Sequence, residues 1–296
     1  MAVTKFLSPR NDVAFKRIFG SDRNKDILVQ FLNDMLEFRG EPPIVDVSFL
    51  KTIQDPEIAA FKTCIVDVMC KDKQGNQYIV EMQVTNPGDF KERVQHYGFS
   101  VYTKQLKVGE KYKTSKPVTL IAITDFPLFP NKKDFKSDHA TLDLKTLEND
   151  LDGMFFTFLE LPKFKKDISE LETMIDKWAY FFKHAAEVDG EDLEKIAADT
   201  SVIKRAYDEI FSFNWTEEQL MAYEDAARRE ETYYASLDFR YAEGLAEGKA
   251  ESEAKLSEAK LEIARNLLAL GLEVDKISKA SGLSVAEIIN LQKKDL

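Results

Sequence analysis

Asp67, Glu81 and Gln83 are the residues best spaced for chemistry. Asp67 lies in an apolar run that ends at Cys70. Glu81 and Gln83 lie in a second run, from Gln77 to Val84, and Asp72-Lys73-Gln74-Gly75-Asn76 separates the two. That separator reads as a hairpin turn, a three-residue loop whose third position, Gly75, accepts the positive φ required there. Centring the loop on Gln74 makes the numbers of facing residues sum to 148, so Cys70 faces Tyr78, Val68 faces Val80 and Asp67 faces Glu81. Facing residues share one side of a sheet. Gln83, two residues on from Glu81, joins that side.

Like charges placed opposite each other are destabilising, and the pKa of one of them rises unless something compensates. A divalent cation removes the conflict. Mg²⁺ is typically held by one or two carboxylates together with water and phosphate oxygens. Such an ion activates water and stabilises charge on a phosphate in transfer. The amide of Gln83 can orient that water, although it lacks the positive charge of a lysine. On this ground Gln83→Lys is expected to keep or raise activity. The competing reading puts Asp67 and Glu81 on a solvated sheet face, paired with nearby lysines. Against it, the segments IVDVMC and YIVEMQV are apolar on both sides of the acids.

The pattern predicts a short helix from Asn11 to Gly20 and a second from Lys25 to Leu36, whose Ile27, Leu28, Phe31, Leu32, Met35 and Leu36 follow a 3.6-residue period. Pro42 and Pro43 break the chain. Strands are expected over Val45 to Lys51, Thr63 to Cys70 and Gln77 to Val84, then a helix over Phe90 to Val108. PVTLIAITD, Pro117 to Asp125, is apolar almost throughout and reads as a central strand buried on both faces. Strand, helix, strand makes a crossover, so this strand should run parallel to an earlier one. A compact α/β domain then occupies residues 1–140.

The remainder reads as helical, with an extension over 141–236 and a tail over 237–296. Its candidate helices are Asp167 to Val188, Glu191 to Asp199, Val202 to Phe213, Glu217 to Tyr234 and Glu243 to about Leu270. Leu256, Ile263 and Leu270 repeat at seven, a coiled-coil-like seam. The last residues read as two short helices joined at Ser281-Gly282, with a helix-turn-helix-like core of Ile277, Leu283, Ile288 and Ile289.

Hydrophobic residues make up 44% of the 296 positions, enough for a packed core. No run approaches the roughly 18 apolar residues of a membrane span. Two cysteines and no apolar leader point to a reduced, cytoplasmic protein. The net charge of −11 argues against a nucleic-acid partner until it is divided. Residues 1–138 hold 21 Lys and Arg against 18 Asp and Glu, a balance of +3, and residues 139–296 carry −14. DNA binding is thus permitted in the N-terminal half.

Asp67, the hairpin and Glu81-x-Gln83 resemble the core of the PD-(D/E)xK phosphodiesterases. The opening, Ser8-Pro-Arg-Asn-Asp-Val-Ala-Phe-Lys-Arg-Ile-Phe-Gly20, resembles one branch of them, the Rpn-type recombination-promoting or transposase-like nucleases. Tyr97, Tyr102, Gln105-Leu106, Gly109, the strand ending at Asp125-Phe126 and the Gly-Leu-Ser tail are similar to the rest of that branch. The resemblance implies a restriction-endonuclease-like core, a mixed sheet flanked by helices, followed by an all-helical C-terminal half. It also implies a Mg²⁺-dependent DNA endonuclease, with Mn²⁺ as a substitute ion, linked to recombination or mobile-element activity. Asp67 and Glu81 would hold the metal, the backbone carbonyl of Met82 would add a ligand, and Gln83 would take the lysine position. The alternative is a catalytically weak descendant that binds DNA or protein partners.

Other candidates are weaker. Asp12 opens the first helix and either adds an acid to the site or complements the helix dipole. Arg93 could touch a phosphate or form a helix-surface pair with Tyr97. Lys104 and Lys107 open a basic run, continued by Lys111, Lys113 and Lys116, that could track a DNA backbone. The three histidines lack ligand spacing. The tail reads as an oligomer contact ahead of a DNA reader, and a homodimer through the C-terminal helices is expected.

Overall fold

The computed structural model describes residues 5–36, 42–54, 64–197 and 200–294. Thr63 and Asp199, the start of one expected strand and the end of one expected helix, lie outside them. The chain divides into two compact units, Met1–Ala227 and Arg228–Leu296.

The first unit opens with α1 (Asp12–Phe19) and α2 (Lys25–Leu36). Asn11 caps α1 by accepting from the Val13 N–H, and Phe15, Ile18 and Phe19 are buried. The following strands are β1 (Val47–Phe49), the short pair β2 (Ile53–Gln54) and β3 (Cys64–Ile65), β4 (Val68–Asp72) and β5 (Gln77–Gln83). Helix α3 (Phe90–Thr103) crosses to β6 (Val118–Thr124), and β7 (Lys136–Thr141) and β8 (Leu151–Glu160) complete the strands. Six of them form one mixed sheet in the order β1-β4-β5-β6-β8-β7. β6 is parallel to β5 and to β8, and the other pairings are antiparallel. Every residue of β6 is buried, as its apolar run requires.

Alternation along the strands sends side chains to two cores. Val68, Cys70, Tyr78, Val80, Met82, Ile121 and Ile123 pack with α1, α2, α4 (Met174–His184) and α6 (Ser201–Glu209). Met69, Ile79, Leu120, Ala122, Met154 and Phe158 pack with Phe90, Val94 and Val101 of α3. Glu81 and Gln83 alternate with Met82 and therefore face the α3 side.

Two expectations change. The sheet does not stop at Asp125, because β8 lies beside β6 in mid-sheet and β7 pairs on its outer side. The stretch after residue 140 is therefore not wholly helical. Its run Met154–Leu159 meets the apolar requirement of a buried strand, while β7, KSDHAT, is a polar edge strand with little sequence signature. The two helices expected over 217–234 and 243–270 are a single helix, α7 (Glu217–Ala269). Gly244 and Gly248 each cost about 1 kcal/mol relative to alanine, too little to interrupt a helix of this composition.

In the second unit, Leu261, Ala264, Leu267 and Leu268 of α7 pack with α8 (Val274–Ser281) and α9 (Val285–Lys294) around Ile277, Leu283, Ile288 and Leu291. Gly282, at φ 70°, ends α8 in the left-handed conformation. Ile289, expected in this core, is 40% exposed. Among the described residues no helix is long and apolar enough to cross a membrane.

Candidate active site

The hairpin register is the one that the sequence arithmetic gives: Cys70 pairs with Tyr78 and Val68 with Val80. Regular pairing ends there. The Val66 N–H turns away to the carbonyl of Thr52, at 3.0 Å, and Asp67 sits in a bend. Alternation in an antiparallel ladder aims the N–H and carbonyl of Met82 at the place that Val66 has left. The Asp67 carboxylate fills half of it, Oδ2 accepting from the Met82 N–H at 2.9 Å. In exchange the Asp67 N–H donates to Oε1 of Glu81 at 3.3 Å. Each carboxylate thus bonds the other residue's strand, and the Met82 carbonyl opens into the same gap.

Both acids are strained electrostatically. Burial pushes the Asp67 carboxyl up to about 6, and the charge of Asp12 adds to the rise. The Met82 N–H, Lys16 and Arg93 oppose it. Glu81 is raised well above the usual carboxylate range, first by burial and then by Asp67, against the opposing charges of Arg93 and Lys16. Two crowded carboxylates and a main-chain carbonyl are hard oxygen donors, the set that suits Mg²⁺ or Mn²⁺. Among the described residues no group of three or more His, Cys, Asp or Glu is placed to hold a metal ion.

Gln83 is committed elsewhere. Its Nε2 donates to the carbonyl and hydroxyl oxygens of Thr85 at 3.0 and 3.2 Å, and its Oε1 accepts from Nη2 of Arg93. The amide is therefore a bracket for Arg93, and it has no free donor to orient water. The Arg93 guanidinium lies 5.0 Å from the centroid of the Phe90 ring and 6.0 Å from that of Tyr97, and its buried Nε has no hydrogen-bond partner.

Helix α1 contributes the other side. Asp12 holds Lys16 at 2.6 Å, one turn along the helix, and the ammonium of Lys16 lies 3.9 Å from Oδ1 of Asp67. Asp12 is thus beside the site, engaged with a lysine. Lys16 was not singled out by the sequence pattern. Its only signal was the i, i+4 spacing from Asp12 within the opening motif.

The rest of that motif positions α1. Ser8 N–H donates to the Tyr223 hydroxyl and Asn11 Nδ2 to the Tyr223 carbonyl, at 3.0 and 3.2 Å. Arg17 lies 4.5 Å over the Trp215 ring and binds Glu209 at 3.2 Å. Arg10 pairs with Asp125, whose N–H donates to the Gln83 carbonyl at 3.0 Å. The opening segment is thereby pinned to the carboxyl ends of β5 and β6, the usual crevice of a parallel α/β sheet.

Lys104 and Lys107 are not brought to this place. Helix α3 starts beside the end of β5 and runs back, so its last turn lies near the beginning of β6. There Gln105 and Lys116 exchange two hydrogen bonds of 2.8 Å. Seven strand residues at about 3.3 Å each separate that end from the Gln83 end.

Residues 9–238 match the family described as PD-(D/E)XK nuclease family transposase. Residues 257–293 match the Rpn/YhgA-like nuclease family, C-terminal HTH domain, over the segment that contains α8 and α9. No curated protein and no solved structure matches the chain. With more than half of the chain covered by the first of these matches, and a mixed sheet carrying the paired acids on its hairpin, the protein belongs to the PD-(D/E)XK nuclease family of transposases.

Proposed function

We propose that this chain is a Mg²⁺-dependent DNA endonuclease, with Mn²⁺ able to replace Mg²⁺, acting in recombination or mobile-element movement. The observation that carries the reading is the exchange between Asp67 and Glu81 at the place where β4 leaves the ladder of β5. Two raised carboxylates in a gap lined by a main-chain carbonyl have a physical reason to take up a cation. Asp67, Glu81 and the carbonyl of Met82 would hold it. When bound, the ion lowers the pKa of water and offsets charge on phosphate.

The reaction adds water to phosphorus and breaks one P–O ester bond. The departing alkoxide gains a proton and the attacking water loses one. This chain's residues hold the phosphodiester and balance its charge. Arg93, bracketed by Gln83, is a fixed cation beside Glu81, and Asp12 steadies Lys16 on the opposite wall. The C-terminal helix-turn-helix segment is the second DNA contact, and the exposed heptad row Leu256, Ile263 and Leu270 is the dimer contact. The cytoplasm is the compartment that fits a DNA substrate.

The amide of Gln83, spent on Thr85 and Arg93, favours a second reading in which catalysis is weak and binding dominates. Nicking of supercoiled plasmid with Mg²⁺ or Mn²⁺, against an EDTA control, decides between them. Cleavage that needs the ion and disappears in Glu81→Ala supports the nuclease. Ion-independent binding without cleavage supports the second reading.

A further inference from the structure

We propose that Lys16, on α1, supplies to the scissile phosphate the positive charge that the third position of Glu81-x-Gln83 cannot supply. The proposal rests on the nuclease reading above and assigns a residue within that site. Three carboxylates lie close here, the charge of Asp12 acting on Asp67 and that of Asp67 on Glu81. A phosphodiester brings a further negative charge, and addition of water at phosphorus concentrates it. A cation placed where that charge develops contributes directly to the rate.

Arg10, at the same end of the sheet, is paired with Asp125, which leaves three groups to compare. Gln83 is neutral, and both ends of its amide are bonded within the protein. Arg93 is charged, but it is clamped on Gln83, set against two rings and partly sealed, with a buried Nε. Its charge acts on Glu81 and Asp67. Lys16 alone among the three combines charge, access and proximity. Its side chain is 45% exposed, and its ammonium is 3.9 Å from Oδ1 of Asp67, the oxygen that the Met82 N–H does not use.

At 3.9 Å the contact with Asp67 is too long for a hydrogen bond. Asp12 makes the close contact at 2.6 Å and leaves the other ammonium hydrogens available. The backbone beneath Lys16 is fixed by the Asn11 cap, by Tyr223 and by buried Phe15 and Phe19. A rigid helix thus presents a four-carbon arm at the mouth of the gap. The rival explanation is that Lys16 only neutralises Asp12 and Asp67.

The two explanations differ in what removal does to metal binding. The full-length protein and its Lys16→Met and Lys16→Arg variants would be compared in plasmid nicking at saturating Mn²⁺. Calorimetry with Ca²⁺ alone, and melting temperature, would be measured alongside. We expect Lys16→Met to lose about 100-fold in nicking, to bind Ca²⁺ several-fold more tightly because a like charge has left the site, and to melt close to the parent. Lys16→Arg should stay within about tenfold of the parent in nicking, since it keeps the charge. Lys16→Met cutting at the parental rate, with tighter Ca²⁺ binding, would mean neutralisation only and would overturn the assignment. A parallel fall in nicking and in Ca²⁺ affinity would mean that Lys16 merely arranges the carboxylates, and would overturn it too. A parent that does not nick with Mn²⁺ would sink the nuclease reading and Lys16 with it, whereas a Lys16→Met variant that nicks as well as an active parent sinks Lys16 alone.

Discussion

Arg93 donates through Nη2 to the side-chain oxygen of Gln83, ten residues earlier, across the turn that joins β5 to α3. This bond changes what the residue at the lysine position does. A lysine at position 83 would set its ammonium against a guanidinium and remove the oxygen that Arg93 bonds. Gln83→Lys should therefore lower nicking, the reverse of the expectation from motif chemistry alone. It should also destabilise the fold by about 1 kcal/mol, the order of one hydrogen bond lost at a part-buried donor. Urea unfolding and the plasmid assay check both. An active, fully stable Gln83→Lys protein would show that the bracket is dispensable.

The pH dependence of the metal-free protein follows from Asp67. Its folded pKa, about 6, is raised above the unfolded value near 4. The protonated form is the one that folding favours. The stabilising contribution is therefore fully present below about pH 4 and is lost as pH rises through about 6. Glu81 acts in the same direction. In EDTA, Asp67→Asn should lose less stability than the parent between pH 5 and pH 7.5, and should melt above it at pH 7.5. Added Mn²⁺ should raise the parent's melting temperature most above pH 6, with proton release on binding. Calorimetric scans of both proteins at the two pH values provide the test, and identical pH slopes would contradict the assignment.

Asp67→Ala and Glu81→Ala should abolish ion-dependent cleavage without unfolding the chain. Neither side chain belongs to an apolar core cluster, and removing Asp67 takes away one of the charges that raise Glu81. Circular dichroism and the nicking assay together test this. Parental cleavage by either variant would place the chemistry elsewhere.

Lys104→Ala with Lys107→Ala should leave nicking within about twofold of the parent. Both residues follow α3 to the far end of the sheet, while Arg10, Lys16 and Arg93 stay at the acid end. A tenfold loss in the double variant would show that DNA crosses the whole sheet.

What the sequence conveyed was mostly local. The boundaries of α2 and the hairpin register followed from residue types within a few positions. The parallel placement of β6 followed from the crossover rule and the apolar run. Strand β8 was hidden by distance: its apolar run is separated from β6 by a polar edge strand that no short window identifies. Lys16 escaped because its meaning depends on α1 docking beside a residue 51 positions away, Asp67. Arg93 was noticed, but its bond to Gln83 needed the turn between β5 and α3. The lysine run is the opposite case. Its neighbours in sequence suggested a DNA track, and only the direction of α3 shows that it leaves the acids.

Assembly supplies the last prediction. At its C-terminal end α7 uses Leu261, Ala264, Leu267 and Leu268 for the core it shares with α8 and α9. Leu256, Ile263 and Leu270 take no part in that core and are 57%, 45% and 76% exposed. A heptad row left to solvent fits a second copy of the same helix, since each side chain fully removed from water contributes about 1.5–3 kcal/mol. A two-fold dimer would be the simplest closed arrangement. Deleting residues 237–296 would cut α7 and discard the helix-turn-helix core as well, so it would not isolate the seam. Leu256→Glu with Ile263→Glu is the cleaner change, because it leaves α8, α9 and their core residues intact. The double variant should run as a monomer in light scattering where the parent runs as a dimer. It should lose double-strand cleavage more than nicking, since paired cuts need two sites held together. A parental protein that is monomeric at micromolar concentration would remove the dimer, and would leave the row as bare surface on α7.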